Sequence, residues 1–172
     1  KYGVQNVFTS FEEVCADPAV DIIYISTPHN THIQFLRKAL AAGKHVLCEK
    51  SITLNSEELE EAMQLAKEHG VVLAEAMTIY HMPIYKELLK RVDAGDLGEL
   101  RVIQMNFGSY KDGHTEKITA GATEEALAYE VSDMEAAVDG DNRMCLDYTI
   151  DVMKLMTEAR KEWGLRYPEE ER

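Results

Sequence analysis

Residues 21–50, DIIYISTPHNTHIQFLRKALAAGKHVLCEK, decide the fold. Asp21-Ile22-Ile23-Tyr24-Ile25-Ser26 is a short, nearly continuous apolar run, the pattern of a strand covered on both faces. Thr31 then stands as the N-cap of a helix, with Gln34 as its capping-box partner. Ile33, Leu36, Ala39 and Leu40 recur at helical spacing as a buried stripe, and Gly43 suits the left-handed residue past the helix end. His45-Val46-Leu47-Cys48 is a second buried strand.

The next segment repeats the arrangement. Asn55 and Glu58 form a cap pair, Leu59, Ala62, Met63 and Ala66 a stripe, Gly70 a stop, and Val71–Ala76 a third strand. The order β-α-β-α-β with short connections predicts an α/β fold of parallel strands with crossover helices on the sheet faces. Upstream, Phe11–Ala16 reads as a short helix ending before Pro18.

Composition narrows the class of protein. The 172 residues carry a net charge of −13, with 45% hydrophobic and 28% charged residues, values typical of a soluble globular chain. The acidic balance argues against binding nucleic acid, which needs a basic face, and against docking on anionic lipid. No apolar run approaches the ~20 residues of a membrane span, and KYGVQNVFTS lacks a signal-peptide core. Cys15, Cys48 and Cys145 are odd in number and form no CxxC pair, so they read as reduced thiols in a cytoplasmic protein.

After Ala76 the character changes, and a domain boundary is placed near Met77–His81. Pro83 begins a helix with Ile84, Leu88, Leu89 and Val92 inward, ending near Gly95. Leu100–Phe107 alternates as a strand of a mixed or antiparallel sheet does, and a short strand is expected over Thr115–Thr119. Thr123 caps a helix with Leu127, Val131, Met134 and Val138 as its stripe, its acidic residues forming a solvated face. A last helix runs from about Cys145 to Trp163 with Leu146, Ile150, Met153 and Met156 facing in, followed by a frayed tail from Pro168. Two stripe-bearing helices have too few strands to cover, which points to an internal gap near residues 110–113.

Chemistry concentrates at three places. Ser26-Thr27-Pro28-His29-Asn30-Thr31-His32 joins the end of a parallel strand to a helix start, where ligands of open α/β sheets bind and free N–H groups face an anion. It reads either as a cofactor loop or as a plain strand-ending turn. His29 and His32 without further ligands make a poor metal pair. Cys48-Glu49-Lys50 ends the next strand on the same edge, where a desolvated Lys50 could bind a hydroxyl or pass it a proton, or else stay solvated beside Glu49. Cys48 itself reads as a small core residue. Tyr80 and His81, in the segment Glu75–Pro83, are candidate acid, base or hydrogen-bonding groups at the boundary, or hinge packing.

With these motifs together, SFEEVCADPAVDIIYISTPHNTHIQFLRKALAAGKHVLCEK and EAMTIYHMPIYKELLKRVDAGDLGELRVIQ resemble the glucose–fructose oxidoreductase / inositol dehydrogenase (Gfo/Idh/MocA) family, EAMTIYHMP being nearest its dihydrodiol-dehydrogenase-like branch. The resemblance runs from about Val7 to Tyr110 and resumes in the C-terminal piece. It implies an NAD- or NADP-dependent oxidoreductase of sugars, polyols or diols: an incomplete Rossmann domain over 1–76, then an incomplete open-sheet α+β domain over 77–172, often a homo-dimer or higher homo-oligomer. By the same resemblance Thr27, Pro28, Asn30 and His32 line the cofactor site, Glu49 lies at the nicotinamide end, and Lys50 touches nicotinamide and substrate. Two departures stand out. Ser51 replaces the proline that follows the family's Glu-Lys pair, removing a backbone restraint on Lys50. Neither the glycine-rich phosphate loop nor the family's Asp-x-Gly-x-His/Tyr stretch occurs in the chain. The alternative expectation is a non-catalytic α/β remnant acting as an oligomerising or binding module through open sheet edges and uncovered helix stripes.

Overall fold

Three parallel strands, β1 (Ile22–Ile25), β2 (His45–Glu49) and β3 (Leu73–Ala76), lie side by side in that order. The structure, a computed structural model, describes residues 3–4, 6–99 and 125–171. Ile23 is opposite Val46, and Val46 opposite Leu73, so one row of side chains crosses the sheet. Helix α1 (Phe11–Ala16) precedes β1, α2 (His32–Ala41) links β1 to β2, and α3 (Ser56–His69) links β2 to β3. The chain continues as α4 (Thr78–His81), α5 (Pro83–Asp93), α6 (Ala126–Val138) and α7 (Leu146–Glu162). It divides into two compact units, residues 1–77 with 132–172, and residues 78–131.

In the first unit each sheet face has its own core, because strand side chains alternate. On one face Ile23, Ile25, Val46, Cys48 and Leu73 pack under Leu36, Ala39 and Leu40 of α2 and Leu59, Ala62 and Ala66 of α3. Met153 of α7 completes this layer, with Leu146 and Ile150 partly buried against it. On the other face Leu47, Ala74 and Ala76 pack under Met134 and Ala137 of α6 and under Met144. Residues 132–172, expected to belong with a second domain, thus pack on the sheet of the first.

Local signals account for most boundaries. Ser10 and Glu13 close a capping box at α1. At α3 the Asn55 side chain accepts from Glu58 N–H at 2.9 Å, while the Glu58 carboxylate takes Leu54 N–H at 3.0 Å, and Gly70 ends the helix at φ 65°. The Thr31–Gln34 box does not form. Thr31 has helical dihedrals (φ −110°, ψ −9°) at the end of a 3-10 turn over His29–Thr31, so its hydroxyl turns back to donate to Pro28 O at 2.6 Å.

Three helix faces differ from expectation. In α6 the buried positions are Glu130, Asp133, Met134 and Ala137, so two acids sit inside where a solvated face was expected, while Leu127 and Val131 are exposed. In α7 Thr149, Met153 and Thr157 are buried and Met156 is exposed. No residue of α5 is fully buried, and Ile84 and Leu88 are exposed. The strands expected over Leu100–Phe107 and Thr115–Thr119, the Thr123 cap and the gap near 110–113 lie outside the described residues.

The C-terminal tail, expected to fray, is pinned. Residues 168–171 form a 3-10 turn, and the Glu170 carboxylate takes both terminal nitrogens of Arg160 at 3.0 Å, Asn55 Nδ2 at 2.9 Å and Tyr167 N–H at 2.9 Å. Arg160 also stacks 4.5 Å above the Tyr167 ring and donates to Leu54 O at 2.8 Å. The Arg160 and Glu170 side chains are 15% and 17% exposed. The hydrogen bonds from Arg160 hold the Glu170 carboxyl down to about 2 against a burial effect of opposite sign. A carboxyl depressed in the folded state stabilises fully above its ordinary value of 4.5, and that stabilisation is lost as pH falls toward about 2. Acid therefore removes about 1–2 kcal/mol here after solvent screening. Thermal melts should show the parent losing this increment on acidification to about pH 2.5, with Glu170→Gln, already lacking it at neutral pH, losing less.

Candidate functional site

Parallel strands all deliver their carboxyl ends to one edge of a sheet. Here β1 runs into Ser26–Thr31, β2 into Glu49–Lys50, and β3 into Ala76–Met77. The first two therefore bring the expected residues Thr27, Pro28, Asn30, His32, Glu49 and Lys50 to a single edge of the first unit.

Each is held differently. The Thr27 and Thr31 hydroxyls meet at 3.0 Å. His32, in the first turn of α2, is 1% exposed, with Nε2 2.8 Å from Thr27 O and Nδ1 3.0 Å from Ser51 O. Both neighbours are carbonyl acceptors, so the ring bridges the two loops and neither nitrogen faces a metal. The His29 ring packs edge-on against His32 at 6.2 Å and Tyr167 at 6.1 Å. Among the described residues no group of three or more His, Cys, Asp or Glu side chains forms a metal cluster. Asn30 donates from Nδ2 to Glu169 Oε1 at 3.0 Å, which ties the pinned tail to this edge.

The Glu49 carboxylate accepts from the Tyr24 hydroxyl at 2.5 Å and from Lys50 N–H at 3.2 Å. Lys50 is exposed, its ammonium forms no ion pair among the described residues, and the Lys50–Ser51 peptide is cis. Cys48 is buried one strand position inward. Burial above all, then Glu75 and Glu49, pushes its thiol up out of the range of a reactive thiolate. None of the three cysteines forms a disulfide.

Tyr80 and His81 fall in the second unit. There the Tyr80 and Tyr85 rings meet at a tilt of 46° with centroids 5.7 Å apart, His81 is buried, and the Thr78 hydroxyl donates to buried Glu130 at 3.1 Å.

Residue types alone did not single out Glu75, Tyr24 or Thr149. Glu75 lies on β3 opposite Cys48, its Oε1 accepting from Ile52 N–H at 3.0 Å and its Oε2 from the Thr149 hydroxyl at 3.1 Å. Burial raises its carboxyl, while these two bonds and the nearby His32 and Lys50 pull the other way. A lone acid inside the apolar run VVLAEA was the available signal for Glu75. Thr149 lies 74 residues away and had none.

At the carboxyl edge the donor set consists of an amide, hydroxyls and an exposed ammonium. It suits a polar, amide-bearing ligand rather than an apolar one. Residues 1–77 match the oxidoreductase family with an NAD-binding Rossmann fold, GFO_IDH_MocA. The chain is 38% identical over 108 residues to trans-1,2-dihydrobenzene-1,2-diol dehydrogenase of Sus scrofa, covering 63% of this chain and 32% of that protein. An uncharacterised oxidoreductase of Rhizobium meliloti is 36% identical over 107 residues, 62% of this chain and 32% of the relative. The chain thus spans about a third of the length of these relatives. A crystal structure of an NAD binding oxidoreductase from Klebsiella pneumoniae superposes with a TM-score of 0.50 at 33% identity, over 53% of this chain and 24% of that one. The partial α/β domain and the site edge agree with the family match, in which residues 1–77 resemble the oxidoreductase family with an NAD-binding Rossmann fold.

Proposed function

We propose that the carboxyl edge of the sheet holds the nicotinamide end of NAD(H) or NADP(H), and that the protein transfers hydride to or from a hydroxyl or carbonyl of a sugar, polyol or diol-like small molecule. The observation that carries this reading is the convergence of Thr27–His32 and Glu49–Lys50 on one edge, with the Lys50 ammonium in no ion pair among the described residues. The name of the diol dehydrogenase relative supports the substrate class.

In this reading Thr27, Pro28, Asn30 and His32 form the wall of the cofactor site, and Glu49 stands beside the nicotinamide. The cofactor supplies the hydride acceptor or donor. As an ammonium Lys50 donates a hydrogen bond to the substrate oxygen and gives it a proton as the carbonyl is reduced; in the reverse direction its neutral amine takes the proton of the alcohol as it is oxidised. Tyr80 and His81, in the second unit, stand as candidate acid, base or hydrogen-bonding groups. The Asn30–Glu169 bond must yield if the Asn30 amide is to reach a cofactor.

A cytoplasmic location belongs to the same proposal, supported by three cysteines outside any disulfide. Among the described residues no helix is long and apolar enough to cross a membrane. A homo-dimer or higher homo-oligomer is also part of it. Exposed Tyr148, Val152, Leu155 and Met156 on α7 support that assembly, and would equally serve the reading as a non-catalytic oligomerising module.

Equilibrium titration with NADH and NADPH, followed by nicotinamide fluorescence, separates the two. The oxidoreductase reading expects saturable binding, weakened by Asn30→Ala. No saturable binding of either nucleotide would favour the module.

A further inference from the structure

A carboxylate in a buried parallel strand carries a desolvation cost, so its partners indicate what it is kept for. Glu75 projects from β3 on the face that carries Cys48 and the buried Ile23–Val46–Leu73 row. Both of its oxygens are used, one on Ile52 N–H and one on the Thr149 hydroxyl of α7. The segment it grips follows Lys50 directly. Ser51 O meets the His32 ring at 3.0 Å, Ile52 N–H meets Glu75, and the Ile52 side chain is fully buried. Residues 51–52 are thus fastened from two elements, α2 and β3, while α7 holds the second oxygen of Glu75 through Thr149. Lys50, just before the fastened pair, is left at the sheet edge with an exposed side chain. An exposed four-carbon side chain is placed only as well as its backbone is.

Building on the role proposed for Lys50, we propose that Glu75 is a positioning residue: with Thr149 it clamps the 51–52 backbone, which fixes the Lys50 Cα at the strand edge for the substrate oxygen. Glu75 touches neither substrate nor cofactor and acts through this loop. Its bond to Thr149 makes the C-terminal helix part of the support for the edge.

Glutamine in place of Glu75 keeps an acceptor for Ile52 N–H and a group able to pair with the Thr149 hydroxyl. Alanine keeps neither. The test measures amide exchange at Ile52, with the Leu59 amide inside α3 as control, and steady-state turnover with NADH on the same full chains. Glu75→Ala should speed Ile52 exchange about tenfold, the order for losing one hydrogen bond to a charged acceptor, with Leu59 unchanged. It should also lower kcat about tenfold or more at unchanged KM for NADH, and add nothing in a Lys50→Ala background. Glu75→Gln should restore most of both. Should Glu75→Ala fail to fold, Thr149→Val carries the same test with a smaller effect, about threefold in exchange. Unchanged Ile52 exchange in a folded Glu75→Ala or Thr149→Val chain overturns the clamp, as does a uniform rise at Ile52 and Leu59. Full turnover in Lys50→Ala would instead overturn the role of Lys50, and the exchange readout would still decide the clamp.

Discussion

Lys50→Ala is expected to lower kcat by about 10²–10⁴-fold, the contribution of a group positioned for proton transfer. The fold should be untouched. Lys50 is exposed, pairs with no carboxylate among the described residues and packs in neither core cluster, so its removal should shift stability by less than about 0.5 kcal/mol. Steady-state oxidation of NADH with carbonyl substrates of the sugar and diol type, alongside a thermal melt, checks both halves. A parent-like kcat in the variant would take Lys50 out of the mechanism. Loss of kcat together with a large drop in melting temperature would assign it a structural role.

The second large effect belongs to His32. Its ring is buried and links Thr27 O to Ser51 O across 2.8 and 3.0 Å, so it joins the two loops that carry the site. His32→Ala opens a cavity and removes the ring that links the two loop carbonyls. The expected cost is about 3–5 kcal/mol, from the cavity and the lost hydrogen bonds together. His29→Ala, three residues earlier and exposed, should cost less than about 0.5 kcal/mol. Urea denaturation midpoints for the pair give a direct comparison. NADH affinity should fall with His32→Ala even under conditions where the variant is folded, since the loops lose their common brace.

The sheet was legible because its strands are short apolar runs set between strong helix signals. The runs read over Asp21–Ser26 and His45–Cys48 form strands at Ile22–Ile25 and His45–Glu49, and the helix between Asn55 and Gly70 carried its own cap and stop. Reading strand ends onto one edge then followed from parallel order alone. The cofactor-side roles expected of Asn30 and Glu49 did not follow from it and came from family resemblance, whereas Lys50 was a candidate from its place at the strand end.

What was misread shares a cause: side chains whose environment is set by distant chain. Glu130 and Asp133 read as solvated because an acid is ordinarily exposed, yet α6 turns them inward. Met156 read as core on hydrophobicity, but the buried row of α7 runs Thr149, Met153, Thr157, spaced four apart. The tail after Pro168 read as frayed because it is rich in glutamate. The partners that pin Glu170, Arg160 in α7 and Asn55 at α3, become neighbours only once the helices have packed.

The central claim is where the nucleotide sits. Amide chemical shifts of the isotope-labelled chain, followed during titration with NADH, test it residue by residue. The account predicts saturable shifts confined to Thr27–His32 and Glu49–Ile52, with Asn30 leaving Glu169. The structure offers an alternative in a cavity of about 390 Å³ lined by Asn55, Arg160, Lys161 and Arg166. Shifts centred on that cavity, with none at the sheet edge, would contradict the claim, and so would no shifts at all.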